Sequence, residues 1–162
     1  MRGLSYKTVL VAFGLIGCFH HSLEERVLAA FSGRGGDWLF SGEAAPQYLA
    51  FRDDRSERVF SEVMRSGMYR LAPIGGPLFC PGVPENGNHG YLLGARVDTV
   101  MGDSAFVSVS RICTQFARKC PSGQACISWG GAIEYSTNYL VARRNGVWKV
   151  VKPLSGSAAV MM

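Results

Sequence analysis

Leu140-Val141-Ala142-Arg143-Arg144-Asn145-Gly146-Val147-Trp148-Lys149-Val150-Val151 is the stretch that decides the fold class. Two apolar runs flank Asn145-Gly146, a dipeptide suited to the positive dihedrals of a two-residue hairpin turn. Such a turn sets Arg144 opposite Val147, Arg143 opposite Trp148, Val141 opposite Val150 and Leu140 opposite Val151, and Pro153 then ends the strand. Trp148 comes to lie beside an arginine, a pairing open to simple packing or to a cation–π contact.

Working outward, the same two-residue period continues upstream. Tyr91 to Val100 is an extended apolar run, Met101-Gly102-Asp103 a turn, and Phe106, Ser108, Ser110 and Ile112 alternate with Ala105, Val107, Val109 and Arg111. That alternation predicts a strand with one wetter face. Ile127 to Trp129 and Ala132 to Arg144 read as one long strand bent at Gly130-Gly131. Downstream, Ser155 to Met162 is a small, apolar tail, either loose or lying against a partner.

The period changes to helical further towards the N-terminus. Ser22 and Glu25 have the spacing of a capping box, and Leu23, Val27, Ala30 and Phe31 fall on one face of a short helix that stops at Gly33. Ser56 to Gly67 is a second helix, with Val59, Phe60, Val63 and Met64 as its apolar stripe, for the core or for docking. Between the helices, Trp38-Leu39-Phe40 reads as an edge strand or a plug over the core. Leu71 to Gly90 is a Pro/Gly-rich loop by composition, and loops of that length are commonly functional. Pro77, Phe79, Val83 and His89 are therefore its candidate partner-binding residues, with Val59 and Val63 on the second helix.

The 162 residues, 17 of them Lys or Arg and 12 Asp or Glu, suffice for one domain. Without Arg2 and Lys7 of the leader the balance is 15 against 12, or +3. Arg52, Arg55, Arg58 and Arg65 alternate with Asp53, Asp54, Glu57 and Glu62, which predicts local ion pairing. A nucleic-acid binder would gather its cations on one face, so no nucleic-acid partner is expected.

The beginning, MRGLSYKTVLVAFGLIGCFHH, carries a basic start and an apolar centre of about twelve residues, shorter than the roughly 20 that span a bilayer. Residues 1–21 are expected to be an export signal or membrane anchor, residues 22–154 one exported domain and residues 155–162 a tail. Leu15-Ile16-Gly17-Cys18 resembles the lipobox of bacterial lipoproteins. The resemblance implies lipid attachment at Cys18 and placement on the periplasmic side of a bacterial membrane, with membrane lipid as a partner. A leader retained as a spanning helix is the alternative.

Cys80, Cys113, Cys120 and Cys126 remain, an even number that reads as two disulfides in an oxidising compartment. Three pairings are open. One of them joins Cys113 to Cys126 across adjacent strand ends and Cys80 to Cys120. A zinc site is disfavoured because no pair has the close Cys-x2-Cys spacing.

Tests for chemistry return little. Gly33-Arg34-Gly35-Gly36 lacks the Gly-Lys-Ser/Thr ending of a phosphate loop, and there is no Gly-x-Ser-x-Gly or Cys-x-x-Cys-His. No metal, no cofactor and no catalytic residue is therefore assigned. The remaining enzyme reading is a hydrolase that combines His89 with Asp98, Asp103 or Glu134.

The sequence thus predicts an α+β domain: an N-terminal anchor or signal, two short helices, then a curved antiparallel sheet of three to five strands. This order, with its closing long hairpin, resembles the small cone-shaped folds similar to nuclear transport factor 2. The expected function is a non-enzymatic, membrane-tethered accessory or structural subunit that docks onto a larger membrane-protein complex. An exported binding module with a small apolar or amphipathic ligand in the concave sheet face is the second expectation.

Overall fold

The structure, a computed structural model, describes residues 22–34, 37–40, 46–66, 68–73, 77–81, 88–115 and 131–161. Its elements are α1 (Leu23–Leu28), a 3-10 turn (Ala29–Phe31), α2 (Asp37–Phe40), β1 (Tyr48–Phe51), α3 (Asp54–Val59), α4 (Ser61–Arg65), β2 (Arg70–Leu71), β3 (Leu78–Phe79), β4 (Asn88–Met101), β5 (Ser104–Gln115), β6 (Gly131–Arg144) and β7 (Val147–Met161). The α+β class holds. The sheet is larger than expected and mixed: seven strands in the order β2-β1-β4-β3-β5-β6-β7, with β4 also paired to β5.

The long hairpins follow the sequence pattern. Asn145 (φ 52°) and Gly146 (φ 79°) both adopt the left-handed conformation that the β6–β7 turn demands. Arg144 faces Val147, Arg143 faces Trp148 and Val141 faces Val150, as the turn predicts. Beyond that point the expectation fails. Leu140 pairs with Lys152 rather than Val151, Tyr139 pairs with Pro153, and the strand runs on to Met161, so Ser155–Met161 is half of β7 and not a separate tail. Register shifts on both sides of the Tyr139–Leu140 pairs let the ladder pass the proline. An edge strand tolerates Pro153 because its missing N–H need not deprive a neighbouring strand. Arg143 turns to Asp103 on the β4–β5 turn, with Nε 2.9 Å from Oδ1.

Alternation sorts the sheet into two faces. Tyr91, Leu93, Ala105, Val107, Val109, Cys113, Tyr139, Val141 and Trp148 are buried on the helix-covered face, where Val27, Leu28, Phe31, Leu39, Phe40, Val59, Phe60 and Val63 meet them. The Ser22–Glu25 capping box forms in both directions. α1 nevertheless exposes Leu23, and it is Val27, Leu28 and Phe31 that reach the core. Trp38-Leu39-Phe40 is a helical turn acting as the plug: Trp38 packs on Phe31 and Phe60, and Phe40 stacks on Tyr91.

The second helix breaks at Phe60 into α3 and α4. Asp53 caps α3, its carboxylate accepting from the Ser56 amide at 2.8 Å. The buried Ser56 hydroxyl in turn accepts from the Ala95 amide at 3.2 Å, closing the edge of β4 where β1 stops. Among the described residues the expected local ion pairs are realised only by Arg65 with Glu62, whereas Arg55 and Arg58 reach Glu24 and Glu25 of α1. These exposed pairs orient α1 against α3 more than they stabilise it.

The cap carries a pH prediction. The Ser56 amide bond, foremost, holds the Asp53 carboxyl below its ordinary 3.8. A folded pKa below the unfolded one adds stability that is present above 3.8 and lost as pH falls through the lower folded value. Asp53→Ala should cost about 1 kcal/mol near neutrality. Urea unfolding should show that difference shrinking below pH 3.8; a gap constant from pH 7 to 2 would remove the cap from the account.

β1 has no clear signature in the sequence. Tyr48, Leu49, Ala50 and Phe51 pair in parallel with Gly90, Tyr91, Leu92 and Leu93. Gly90 permits this approach, since a Cβ there would overlap the Tyr48 carbonyl. Gly90→Ala should therefore cost roughly 2 kcal/mol by displacing β1. A variant with an unchanged unfolding midpoint would mean that the two strands are further apart.

Candidate functional site

The disulfide joins Cys80 to Cys113, with Cα atoms 4.9 Å apart. This replaces the expected Cys113–Cys126 and Cys80–Cys120 arrangement. The reason lies in β3, a strand within the expected loop. Phe79 pairs with Thr114 and the Cys80 amide bonds the Thr114 carbonyl, placing Cys80 beside Cys113 on β5. Cys120 and Cys126 lie outside the described residues, as do Cys18, Val83 and the rest of the N-terminal stretch through residue 21.

Next to the disulfide, Arg111 occupies the helix-covered face. Its guanidinium lies 5.4 Å from the ring centres of Tyr91 and Tyr135 and 5.9 Å from that of Phe40. Nη1 donates to the Leu39 carbonyl at 2.7 Å, which ties down α2. A cation on an apolar face is tolerable when aromatic faces and a carbonyl replace its water. Burial raises the nearby Tyr139 phenol above its ordinary 10.0, partly opposed by Arg34 and Arg111.

The expected partner-binding residues divide. Pro77 is exposed, while Phe79 and His89 are half-buried on β3 and β4. Val59 and Val63 are buried in the core and present no docking face. Leu71, Ala72, Pro73 and Leu78 border a groove of about 550 Å³ together with Leu92 and Ile112. Part of the expected loop surface therefore exists as a groove beside β1 and β4.

The hydrolase candidates are not brought together. Asp98 is nine positions beyond His89 on the same strand, about 30 Å at the rise of a strand, and Asp103 lies past the hairpin turn. Glu134 pairs with Ile112, which pairs with Leu92. By alternation that row lies on the opposite face from the His89, Tyr91 and Leu93 positions. The helix-covered face is occupied among the described residues by core side chains.

What the sequence did not reveal is the free edge of β7. Its whole length pairs with β6, and no strand pairs with its other side among the described residues. Lys149, Lys152 and Pro153 guard the first half, as protected edges require. Leu154 to Met161 has neither charge nor proline. Leu154, Val160 and Met161 are exposed, Val160 by 67 %. The only signal was the apolar, uncharged composition of the last residues, whose strand conformation comes from β6.

Among the described residues no helix is long and apolar enough to cross a membrane. Set beside protein-family models, curated proteins and solved structures, the chain shows no match to any of them.

Proposed function

We propose that this protein is a non-enzymatic, membrane-tethered exported subunit that docks onto a larger membrane-associated assembly by adding the free edge of β7 to a partner's sheet. The observation that carries the reading is the unguarded half of that edge, Leu154–Met161. Strand addition satisfies such an edge through main-chain hydrogen bonds, and alternate side chains supply specificity. The exposed Leu154, Val160 and Met161 add apolar area, a mark of interaction surfaces.

Support for export comes from the leader and from the Cys80–Cys113 bridge, since structural disulfides belong to oxidising compartments. The second bridge in this reading is Cys120–Cys126, the remaining pair. The tether is a lipid on Cys18 or the uncut leader. Intact mass separates the two: a diacylglyceryl adduct beginning at Cys18, or a retained Met1.

Gentle extraction of the full-length protein, followed by native mass spectrometry, tests the docking. A stoichiometric companion is expected with the wild type and should be lost with Ala158→Lys/Val160→Lys, which places charge on the edge without touching the core. A wild-type monomer with no companion would refute docking. A companion retained by the double variant would refute the edge.

A further inference from the structure

The turns of two hairpins stand side by side at one end of the sheet. Met101-Gly102-Asp103 carries β4 into β5, and Arg144 to Val147 carries β6 into β7. Arg143 fastens one turn to the other, its amide donating to the Asp103 carbonyl at 2.7 Å and its Nε lying 2.9 Å from Asp103 Oδ1. A Cβ added at Gly102 or Gly146 would meet nothing within 4 Å, so both tips project into open space. Each nevertheless carries a large apolar side chain: Met101 and Val147 are both 57 % exposed. Tight turns favour glycine and small polar residues, so the turn itself does not call for these two.

Behind the tips, the sheet face turned away from the helices carries apolar and cationic side chains together. Ala105, Val141 and Trp148 are buried in the core, so alternation turns the row Met101, Ser104, Ala142 and Lys149 the other way. The next row on that face runs Phe106, Leu140 and Lys152. Phe106 and Leu140 are half-buried and stand outside the core cluster. From residue 96 to 106 and from 138 to 153 the chain has five cations, Arg96, Arg143, Arg144, Lys149 and Lys152, against two carboxylates, Asp98 and Asp103. Arg96 meets Asp98 at 2.9 Å and Arg143 meets Asp103, so the surplus positive charge falls on Arg144, Lys149 and Lys152.

Protruding apolar tips backed by unneutralised cations match an anionic bilayer, where the apolar groups pass below the phosphates and the cations meet them. The spacing fits that arrangement. Elements lying in a membrane interface bury their apolar parts roughly 5–10 Å deep, and Lys149 lies two residues behind Val147, about 7 Å at the rise of a strand. Lys152, opposite Leu140, lies about 14 Å behind the Arg144 row, and its stem extends back towards the headgroups. A folded protein would need a matching hollow for each tip, whereas a fluid bilayer closes around a convex shape. We propose that the paired hairpin tips are a contact site for anionic phospholipid, with Met101 and Val147 dipping below the headgroups and Arg144, Lys149 and Lys152 pairing with lipid phosphates. The site leaves the Leu154–Met161 edge free and rests neither on docking nor on the N-terminal tether.

The test is flotation of the full-length protein with vesicles of phosphatidylcholine, alone or with about a third phosphatidylglycerol. An N-terminal lipid or apolar leader enters both kinds, so the tips are read from the difference between them. At about 5-fold per cation near an anionic surface, the wild type should prefer the anionic vesicles by at least about 10-fold. Salt at about 1 M, where the screening length is ~3 Å, should remove the preference. Arg144→Gln/Lys149→Gln/Lys152→Gln should leave less than roughly 2-fold, whereas Arg2→Gln/Lys7→Gln in the leader should keep it. Depth is read separately: brominated acyl chains should quench the tryptophan added by Val147→Trp in anionic vesicles, and much less in the triple-glutamine background. These side chains in the tips are exposed, so unchanged unfolding midpoints are expected to accompany the losses. Equal binding to the two vesicles without quenching at Val147→Trp would overturn the membrane site and leave the cations to an acidic protein. A preference that survives the triple variant would overturn it as well.

Discussion

Replacing both disulfide cysteines, Cys80→Ala/Cys113→Ala, is expected to lower stability by about 4 kcal/mol. The bridge closes a loop of 33 residues, and the chain-entropy cost released to the unfolded state by opening a loop of that size is of this order. Native packing adds to the effect, because both cysteines are buried and β3 pairs over only two residues. The bridge adds a covalent link to the short pairing of Leu78 and Phe79 with β4 and β5 and to the burial of Leu78. For a domain of this size the thermal midpoint should fall by roughly 10 °C or more. Chemical reduction of the wild type should reproduce most of that fall. A drop of less than about 3 °C would show that β3 is held by its neighbours without covalent help. Non-reducing peptide mapping should recover Cys80 linked to Cys113, and a Cys80–Cys120 peptide would contradict the β3 placement.

Phe60→Ala should cost about 3–5 kcal/mol, the usual loss for a fully buried aromatic residue. Phe60 is completely buried at the break between α3 and α4, with its ring stacked near Trp38 at 6.2 Å and Phe51 at 6.4 Å between centres. It thus joins the second helix pair to the plug and to β1 at one point. A domain with ordinary stability of about 5–15 kcal/mol loses a large fraction of it through this truncation. Phe60→Leu keeps most of the apolar volume and should cost about 1–2 kcal/mol. Urea unfolding of the pair checks both values; a loss below 1 kcal/mol for the alanine variant would mean that the helices are not packed through this ring.

What was legible in the sequence was local. Asn145-Gly146 specified a turn, and the turn set the first pairs of the β6–β7 ladder. The alternation from Ala105 to Ile112 specified a strand with one wetter face, and Ser22 with Glu25 specified where α1 begins. Each rests on residues within a few positions of one another, where backbone geometry alone relates chain position to space.

The missed features all depend on partners far away in the chain. Tyr48–Phe51 is a strand because β4 offers it an edge and Gly90 leaves room, and Leu78–Phe79 is a strand because β4 and β5 both pair with it. Ser155–Met161, with little strand propensity of its own, is held by β6 after two register shifts carry the chain past Pro153. The candidate sites share this dependence. A free edge exists only once the order of strands is known, and the groove beside β1 and β4 joins residues from β1, β3, β4 and β5. The turns, the helix start and the two-residue alternation of the long strands were set by the sequence, since these follow from nearest-neighbour backbone sterics and spacing. Only the tertiary structure decided the mixed sheet, the cysteine pairing and the exposed sites, because each results from pairing hydrogen-bond donors and acceptors between segments that the chain sequence leaves far apart.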